Sequence, residues 1–229
     1  MSISRFLIEN NGSNQDNIKL ALSEAYHLCK EAGLKRITLV FPVKGNFGSS
    51  DIATFLGQQA TKALSKGQSV DLGDGIYLEF DIPKNISSYG NYEVVLAAYL
   101  IDKDMDTVDA IENISSIVFL PWLEEDGKRW LSTWSPKIVG PSSWVVSQPT
   151  LPTPVQEEIL RLGCCINMST GLSHPSDKDM AKKTFSNLKK QGHMATEEAI
   201  RQFAVNNGWK PKRAQELASF AKKYIAKNT

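Results

Sequence analysis

Cysteine is scarce in this sequence and does not hold it together. The 229 residues contain three, Cys29, Cys164 and Cys165, two of them adjacent. An odd count with that spacing is no disulfide framework, and without a CxxC pair it offers no zinc site. The expected setting is reducing and cytoplasmic, with Cys164 and Cys165 as small buried residues. Histidine is as rare: His27, His174 and His193 lie far apart, with no HxxxH spacing. Long apolar runs are also missing. None approaches the roughly 18–20 residues a membrane helix needs, so no membrane partner is expected. The start, Met1-Ser2-Ile3-Ser4-Arg5-Phe6, does not read as a secretory signal, because no charged segment leads into an apolar one. Neither a Walker A loop nor a GxGxxG fingerprint occurs.

What is present is an asymmetry of charge. Residues 177–229 hold twelve Lys and Arg against five Asp and Glu, about +7 within a chain of net +1, which leaves −6 to residues 1–176. Such a division points to two modules with different partners. The bridge between them is Gln148-Pro149-Thr150-Leu151-Pro152-Thr153-Pro154.

Before that bridge, β-rich apolar runs alternate with amphipathic helices. Residues 5–9 read as a short first strand. Ile18, Ala21, Leu22, Ala25, Leu28, Cys29 and Ala32 recur at the helical period over residues 15–32, with Gly33 just past the end. Arg36-Ile37-Thr38-Leu39-Val40-Phe41-Pro42, residues 92–100 and residues 116–122 are continuous apolar runs, as expected of strands buried on both faces. Residues 76–80 alternate like a half-exposed strand, residues 51–64, 105–112 and 124–133 read as helices, and 144–146 as a short last strand. The alternation predicts an α/β fold: a three-layer Rossmann-like domain with a mostly parallel sheet over residues 1–147. Residues 148–176 read as a Pro-rich bridge and loop, and 177–229 as three basic helices. In that reading Ser176 and Thr196 are caps, Pro211 starts the third helix and Trp209 is an anchor. So few core positions predict a segment that is marginal alone. It would dock on the α/β domain, a protein partner or a second copy.

Five constellations bear on function. Lys44, Gly45, Asn46, Gly48, Ser49 and Ser50 lie between a buried strand and a helix. Free amides, hydroxyls and a lysine in such a loop favour a phosphate or carboxylate; the structural alternative is a tight turn with Ser50 as cap. Asp102, Asp104, Asp106 and Asp109 follow the strand of residues 92–100, where ligands of α/β sheets lie, and Asp102 and Asp104 with Glu9 would hold Mg²⁺. In the structural alternative Asp102 caps the helix and the others sit in its solvated first turn. Four of the five tryptophans, Trp122, Trp130, Trp134 and Trp144, fall within 23 residues, and Trp130 and Trp134 share a helical face. They read as packing around a helix. The histidines read as structural. Last, Lys178, Lys182 and Lys189 cluster on one side of the first tail helix with Lys183 and Lys190 close by, and Lys210, Lys212, Arg213, Lys222, Lys223 and Lys227 decorate the third, which allows a helix-turn-helix-like contact with nucleic-acid phosphates. Lysines outnumber arginines, so base readout is not indicated.

Two resemblances rest on these residues. The run from Asn14 to Leu64, with Lys35-Arg36-Ile37-Thr38-Leu39-Val40-Phe41 as its strand and a Gly/Ser loop after it, looks like the first unit of pyruvate-kinase C-terminal-domain-like folds. That resemblance implies an α/β fold and a phosphate-bearing effector at the loop, although Pro42, Val43 and Phe47 stand where that family has a compact Thr-Ser-Gly-Thr pattern. Glu9 with Asp102 and Asp104 is similar to the Glu and Asp-x-Asp signature of Toprim nucleases, with Asn10 where that family has Gly. This implies Mg²⁺-dependent phosphoryl transfer. The expectation drawn is a non-catalytic binding or regulatory module that needs no cofactor and takes a small anionic ligand at residues 44–50. Nucleic-acid binding by the tail comes second, and the Mg²⁺ enzyme third.

Overall fold

The structure is a computed structural model that describes residues 3–145, 149–168 and 170–226. The chain divides into two compact units, Met1–Val146 and Ser147–Thr229. Among the described residues, no helix is long and apolar enough to cross a membrane.

The first unit is a three-layer α/β fold. Its elements are β1 (Ser4–Leu7), α1 (Gln15–Glu31), β2 (Arg36–Val40), α2 (Lys44–Phe47), α3 (Asp51–Leu56), α4 (Gln58–Ser65), β3 (Val70–Asp71), β4 (Tyr77–Asp81), β5 (Val94–Ala98), α5 (Asp102–Asp109), β6 (Ser116–Leu120), α6 (Glu124–Trp134) and β7 (Lys137–Ile138). The strands form one sheet in the order β3-β4-β2-β5-β6-β1-β7. Only β3 is antiparallel to its neighbour. The order is not the 3-2-1-4-5-6 of dinucleotide-binding sheets.

Alternation along each strand builds two cores. Phe6, Ile37, Leu39, Val94, Leu96, Ala98, Val118 and Leu120 face one layer with Ile18, Ala21, Ala25 and Cys29 of α1 and Phe47, Ile52 and Leu64 of α2–α4. Leu7, Val40, Val95, Ala97, Ile117 and Phe119 face the other with Met105 and Val108 of α5 and Trp130 of α6. Burial on both faces is why these strands read as continuous apolar runs. Each such large side chain contributes roughly 1.5–3 kcal/mol. Asn14 starts α1 by accepting from the Asn17 amide, and fully buried Ala21 and Ala25 let that helix lie close over the strands.

The second face carries a buried charge. Asp109, the last residue of α5, accepts from Arg5 Nε of β1 at 3.2 Å and from the indole Nε1 of Trp130 and Trp134 at 2.9 Å each. The Arg5 guanidinium also stacks on the Trp134 ring at 3.6 Å. Burial pushes the Asp109 carboxyl up, opposed by the Arg5 charge and the indole donors. The packing role read for Trp130 and Trp134 thus includes a polar partner that the sequence did not indicate.

Several expectations are corrected. Residues 44–50 are not an open glycine loop: α2 forms there, because Phe47 is pulled into the core against Phe41 and Phe80. The helix expected over 51–64 breaks at Gly57, which adopts φ 83°, ψ 160°. That conformation is open essentially only to glycine. Residues 144–145 are not a strand (Val146 lies outside the described residues), and the edge strand beside β1 is β7.

The second unit is helical: α7 (Thr153–Cys165), α8 (Pro175–Lys190), α9 (Glu197–Asn206) and α10 (Pro211–Ile225). The stretch read as a bridge and loop therefore contains a helix. Pro154 sits in its first turn, where a missing N–H costs nothing. For the same reason α8 begins at Pro175, with His174 as N-cap in place of Ser176. Thr196 caps α9 by accepting from the Ala199 amide. Helix α10 packs on α8 and α9, and α7 on both as well. Buried Val155, Ile159 and Leu162 from α7 join Phe185, Leu188, Ile200, Trp209, Leu217 and Ile225. This core is larger than the three-helix reading allowed. Cys164 and Cys165 are exposed, not buried, because they fall on the outer side of the last turn of α7.

Replacing Asp109 by Ala leaves the Arg5 charge, whose side chain is 13% exposed, without its carboxylate. The expected cost is roughly 3–5 kcal/mol, the range for breaking a buried pair, read as a lowered urea midpoint of the α/β unit. A loss under about 1 kcal/mol, the range of surface pairs, would show that this carboxylate is not structural.

Candidate functional site

In open α/β sheets, ligands bind past the carboxyl ends of strands, where successive connections leave to opposite faces. The sheet has two such points. Between β6 and β1, α6 leaves to one face and α1 to the other. Between β2 and β5, α2–α4 and α5 do the same.

The β6–β1 point is covered in part by the chain itself, which leaves an open cleft of about 550 Å³ lined by Asn11, Leu123, Glu124, Glu125 and Lys128. Asn10 is buried and donates to the Gly12 and Pro121 carbonyls at 2.8 and 2.7 Å. Glu9 is covered by the segment after β7. Its carboxylate accepts from the Ser142 hydroxyl, the Ser143 amide (2.7 Å) and hydroxyl (3.2 Å) and the Trp144 amide (2.8 Å). Burial works against ionisation, but these hydrogen bonds outweigh it and hold the carboxyl below its ordinary range. The Trp144 ring lies on Gly127 of α6 so closely that a Cβ there would stand 2.3 Å from it. Residues 141–145 therefore form a strap, pinned at both ends of a short span.

The aspartates after β5 are engaged in packing α5 against α6. Asp102 pairs with Arg129. Asp126 has its carboxyl pushed up by burial and by the Asp102 charge, and accepts from the Asp102 amide. Asp104 is half-buried and shifted up by burial. Glu9 stands at the end of β1, which β6 separates from β5; two strand spacings come to about 10 Å. Glu9, Asp102 and Asp104 are thus not brought together, and among the described residues no group of three His, Cys, Asp or Glu is placed to hold a metal ion.

The β2–β5 point is strained and apolar. Tyr99, just past β5, has φ 62°, an unusual conformation for a bulky residue. Its hydroxyl donates to both oxygens of Asp51, at 2.9 and 3.0 Å, which pins the start of α3. Burial and the Asp51 carboxylate push the phenol pKa up. Trp122 packs edge-on against Tyr99 at 4.9 Å, and Val43, Ile101, Trp122 and Leu123 are exposed around it.

Behind α3 lies an open cleft of about 620 Å³, lined by Gly48, Ala53, Thr54, Gly57, Gln58, Thr61 and Lys62. Of the six residues expected to bind an anion, only Gly48 reaches it. The Asn46, Ser49 and Ser50 amides bond to the Val43, Asn46 and Phe47 carbonyls. The Ser49 and Ser50 hydroxyls also turn inward to Asn46 and Phe47. Lys44, Gly45 and Asn46 are exposed on α2. Within the cleft, Thr54 and Thr61 donate their hydroxyls to the Ser50 and Ala53 carbonyls. The donors left are Gln58, Lys62 and the first-turn amides of α4, which has no side-chain cap. Gln58 and Lys62 were missed because they lie beyond the unexpected break at Gly57.

In the helical unit, Lys182, Lys189 and Lys212 are exposed. Arg213 pairs with Glu216, and Lys222 with Glu197. Ser219, Lys222 and Gln215 together hold the Glu197 carboxyl below its ordinary range and tie α9 to α10. Lys227 lies outside the described residues. His27 pairs with Glu31 on the exposed side of α1.

Residues 152–229 match the model of a family described as a domain of unknown function (DUF1889). The match begins at the N-cap of α7 and covers the four-helix unit. No curated protein and no solved structure matches the chain, so the resemblance of residues 14–64 to pyruvate-kinase C-terminal-domain-like folds gains no support.

The Glu9 strap has a definite pH dependence. Because the folded-state pKa is depressed, its stabilisation is complete above the ordinary glutamate range and is lost as pH falls through the lowered value. The Ser143 and Trp144 amide resonances are expected to titrate only below the ordinary value of 4.5, and not at all in Glu9→Gln. Titration that persists in the variant would assign the strap to another group.

Proposed function

We propose that the α/β unit is a binding or regulatory module for a small anionic ligand, held in the cleft between Gly48 and Lys62. The observation that carries this reading is the composition of the cleft. At about 620 Å³ it falls within the size range of small-molecule sites. Its lining offers an ammonium, an amide side chain and the uncapped first turn of α4, and contains no carboxylate, imidazole or thiol. Such a set favours a phosphate or carboxylate and supplies no proton acceptor for chemistry.

The wall of the cleft is held in place. The Tyr99–Asp51 hydrogen bonds fix the start of α3, and Thr61 Oγ1 bonds back to the Ala53 carbonyl at 2.9 Å, joining α4 to α3. A ligand bridging Lys62 and the α4 amides would tighten this corner. That is a route by which occupancy changes the carboxyl edge of the sheet.

The test is thermal unfolding of the full chain against a panel of nucleotides, sugar phosphates and dicarboxylates. At a hundred times Kd a ligand stabilises by about 2.7 kcal/mol, or about 5–10 °C for a unit of this size. Lys62→Glu is expected to abolish the shift and Lys66→Glu to leave it. A shift that survives Lys62→Glu would place the ligand elsewhere, and no shift across the panel would remove the reading.

A further inference from the structure

The helical unit has a second feature, independent of that cleft. Between the turn Gly171–Ser173, the start of α8 and the outer side of α10 lies an open cleft of about 500 Å³. It is lined by Leu172, Lys178, Glu216, Ser219, Phe220 and Lys223, among others. Phe220 is half-buried and pairs with the half-buried Tyr224 at a centroid distance of 5.5 Å. The Lys223 ammonium stands 5.7 Å from the Phe220 ring. The one carboxylate of the lining, Glu216, is engaged by Arg213 at 2.7 Å. The floor is therefore aromatic and its open charges are positive.

From this cleft a row of lysines leads away. Lys178, Lys182 and Lys189 of α8 recur at intervals of four and seven residues, so they share one side of the helix, about 6 and about 10 Å apart. Lys183 and Lys190 run beside them. Among the described residues, none of these five lysines, nor Lys223, takes part in an ion pair. The acidic groups nearest in sequence, Asp177 in the first turn of α8 and Asp179 just after it, lie at the start of the row. The helical unit as a whole carries thirteen Lys and Arg against seven Asp and Glu.

We infer that this face binds single-stranded nucleic acid without sequence preference. A straight row of unpaired ammonium groups matches a polymer that carries charge at regular intervals. A flat ring at the head of the row matches an unstacked base, and a single strand exposes its bases where a duplex does not. Arginine is absent from the row, so bidentate base recognition is too. An acidic peptide would satisfy the lysines but has no planar group to lie on Phe220. The site differs from the helix-turn-helix expectation: Arg213 and Lys222 are spent on internal ion pairs, while Phe220, outside that expectation, comes forward beside Lys178.

The experiment is fluorescence anisotropy of the full chain with a labelled dT20 strand across sodium chloride concentrations. Poly-glutamate and a duplex of equal length serve as competitors. Affinity is expected to fall steeply with salt. Lys178→Ala and Lys223→Ala should each reduce the log–log slope by about 0.7. Phe220→Ala should weaken binding about tenfold with the slope unchanged, since stacking releases no counterions. Phe220→Leu keeps the apolar volume and should show the same loss, which separates lost stacking from lost folding. Lys66→Ala in the α/β unit should change nothing. Absence of binding at low salt, equal competition by poly-glutamate or duplex, or indifference to both Phe220 variants would each overturn the inference.

Discussion

The α/β unit depends on one buried carboxylate. Asp109 joins three elements that meet nowhere else in the sequence: β1 through Arg5, α5 through its own backbone, and α6 through Trp130 and Trp134. An unpaired charge at this depth would be prohibitive, so the three elements are held as a set. Fixing α6 has consequences at the carboxyl edge of the sheet. Gly127 then lies under Trp144, and residues 141–145 reach back over Glu9. The switch point between β6 and β1 is thereby covered in part by the chain itself. The cleft between Asn11 and α6, the point at Tyr99 and the cleft behind α3 stay open along that edge.

Much of this architecture was legible because of where apolar residues lie in sequence. Ile37 to Phe41, Val94 to Ala98 and Ile117 to Leu120 are covered on both faces, so no polar alternation breaks them. Amphipathic α1 and α6 follow the helical period for the same physical reason. The misses have physical causes as well. Gly57 interrupts α3 and α4 by a backbone angle, which leaves the apolar period intact. Phe47 turns a glycine loop into a helix through a tertiary contact. Two-residue strands such as Lys137–Ile138 carry no period at all. The prolines that announce a bridge are also at home in first turns, and so they hid α7. Asp109 was read with its neighbours as one of a solvated set, because spacing along a helix does not reveal which carboxylate points inward.

The charge asymmetry takes on a more specific meaning. The helical unit has its own core, with α7 supplying the side chains that the three-helix reading lacked, and its lysines are arranged as a row along α8. The α/β unit has an open cleft with one lysine. The two surfaces differ in chemistry: one suits a compact anion, the other an extended chain of charges with flat bases. Each of the two compact units carries a core of its own.

Hydrogen exchange read by mass spectrometry on the intact chain follows the two cores side by side. In moderate urea, peptides from β2, β5 and β6 should lose protection together, and peptides from α8, α9 and α10 should do so as a separate group at a different urea concentration. A single exchange transition shared by both sets of peptides would contradict the account.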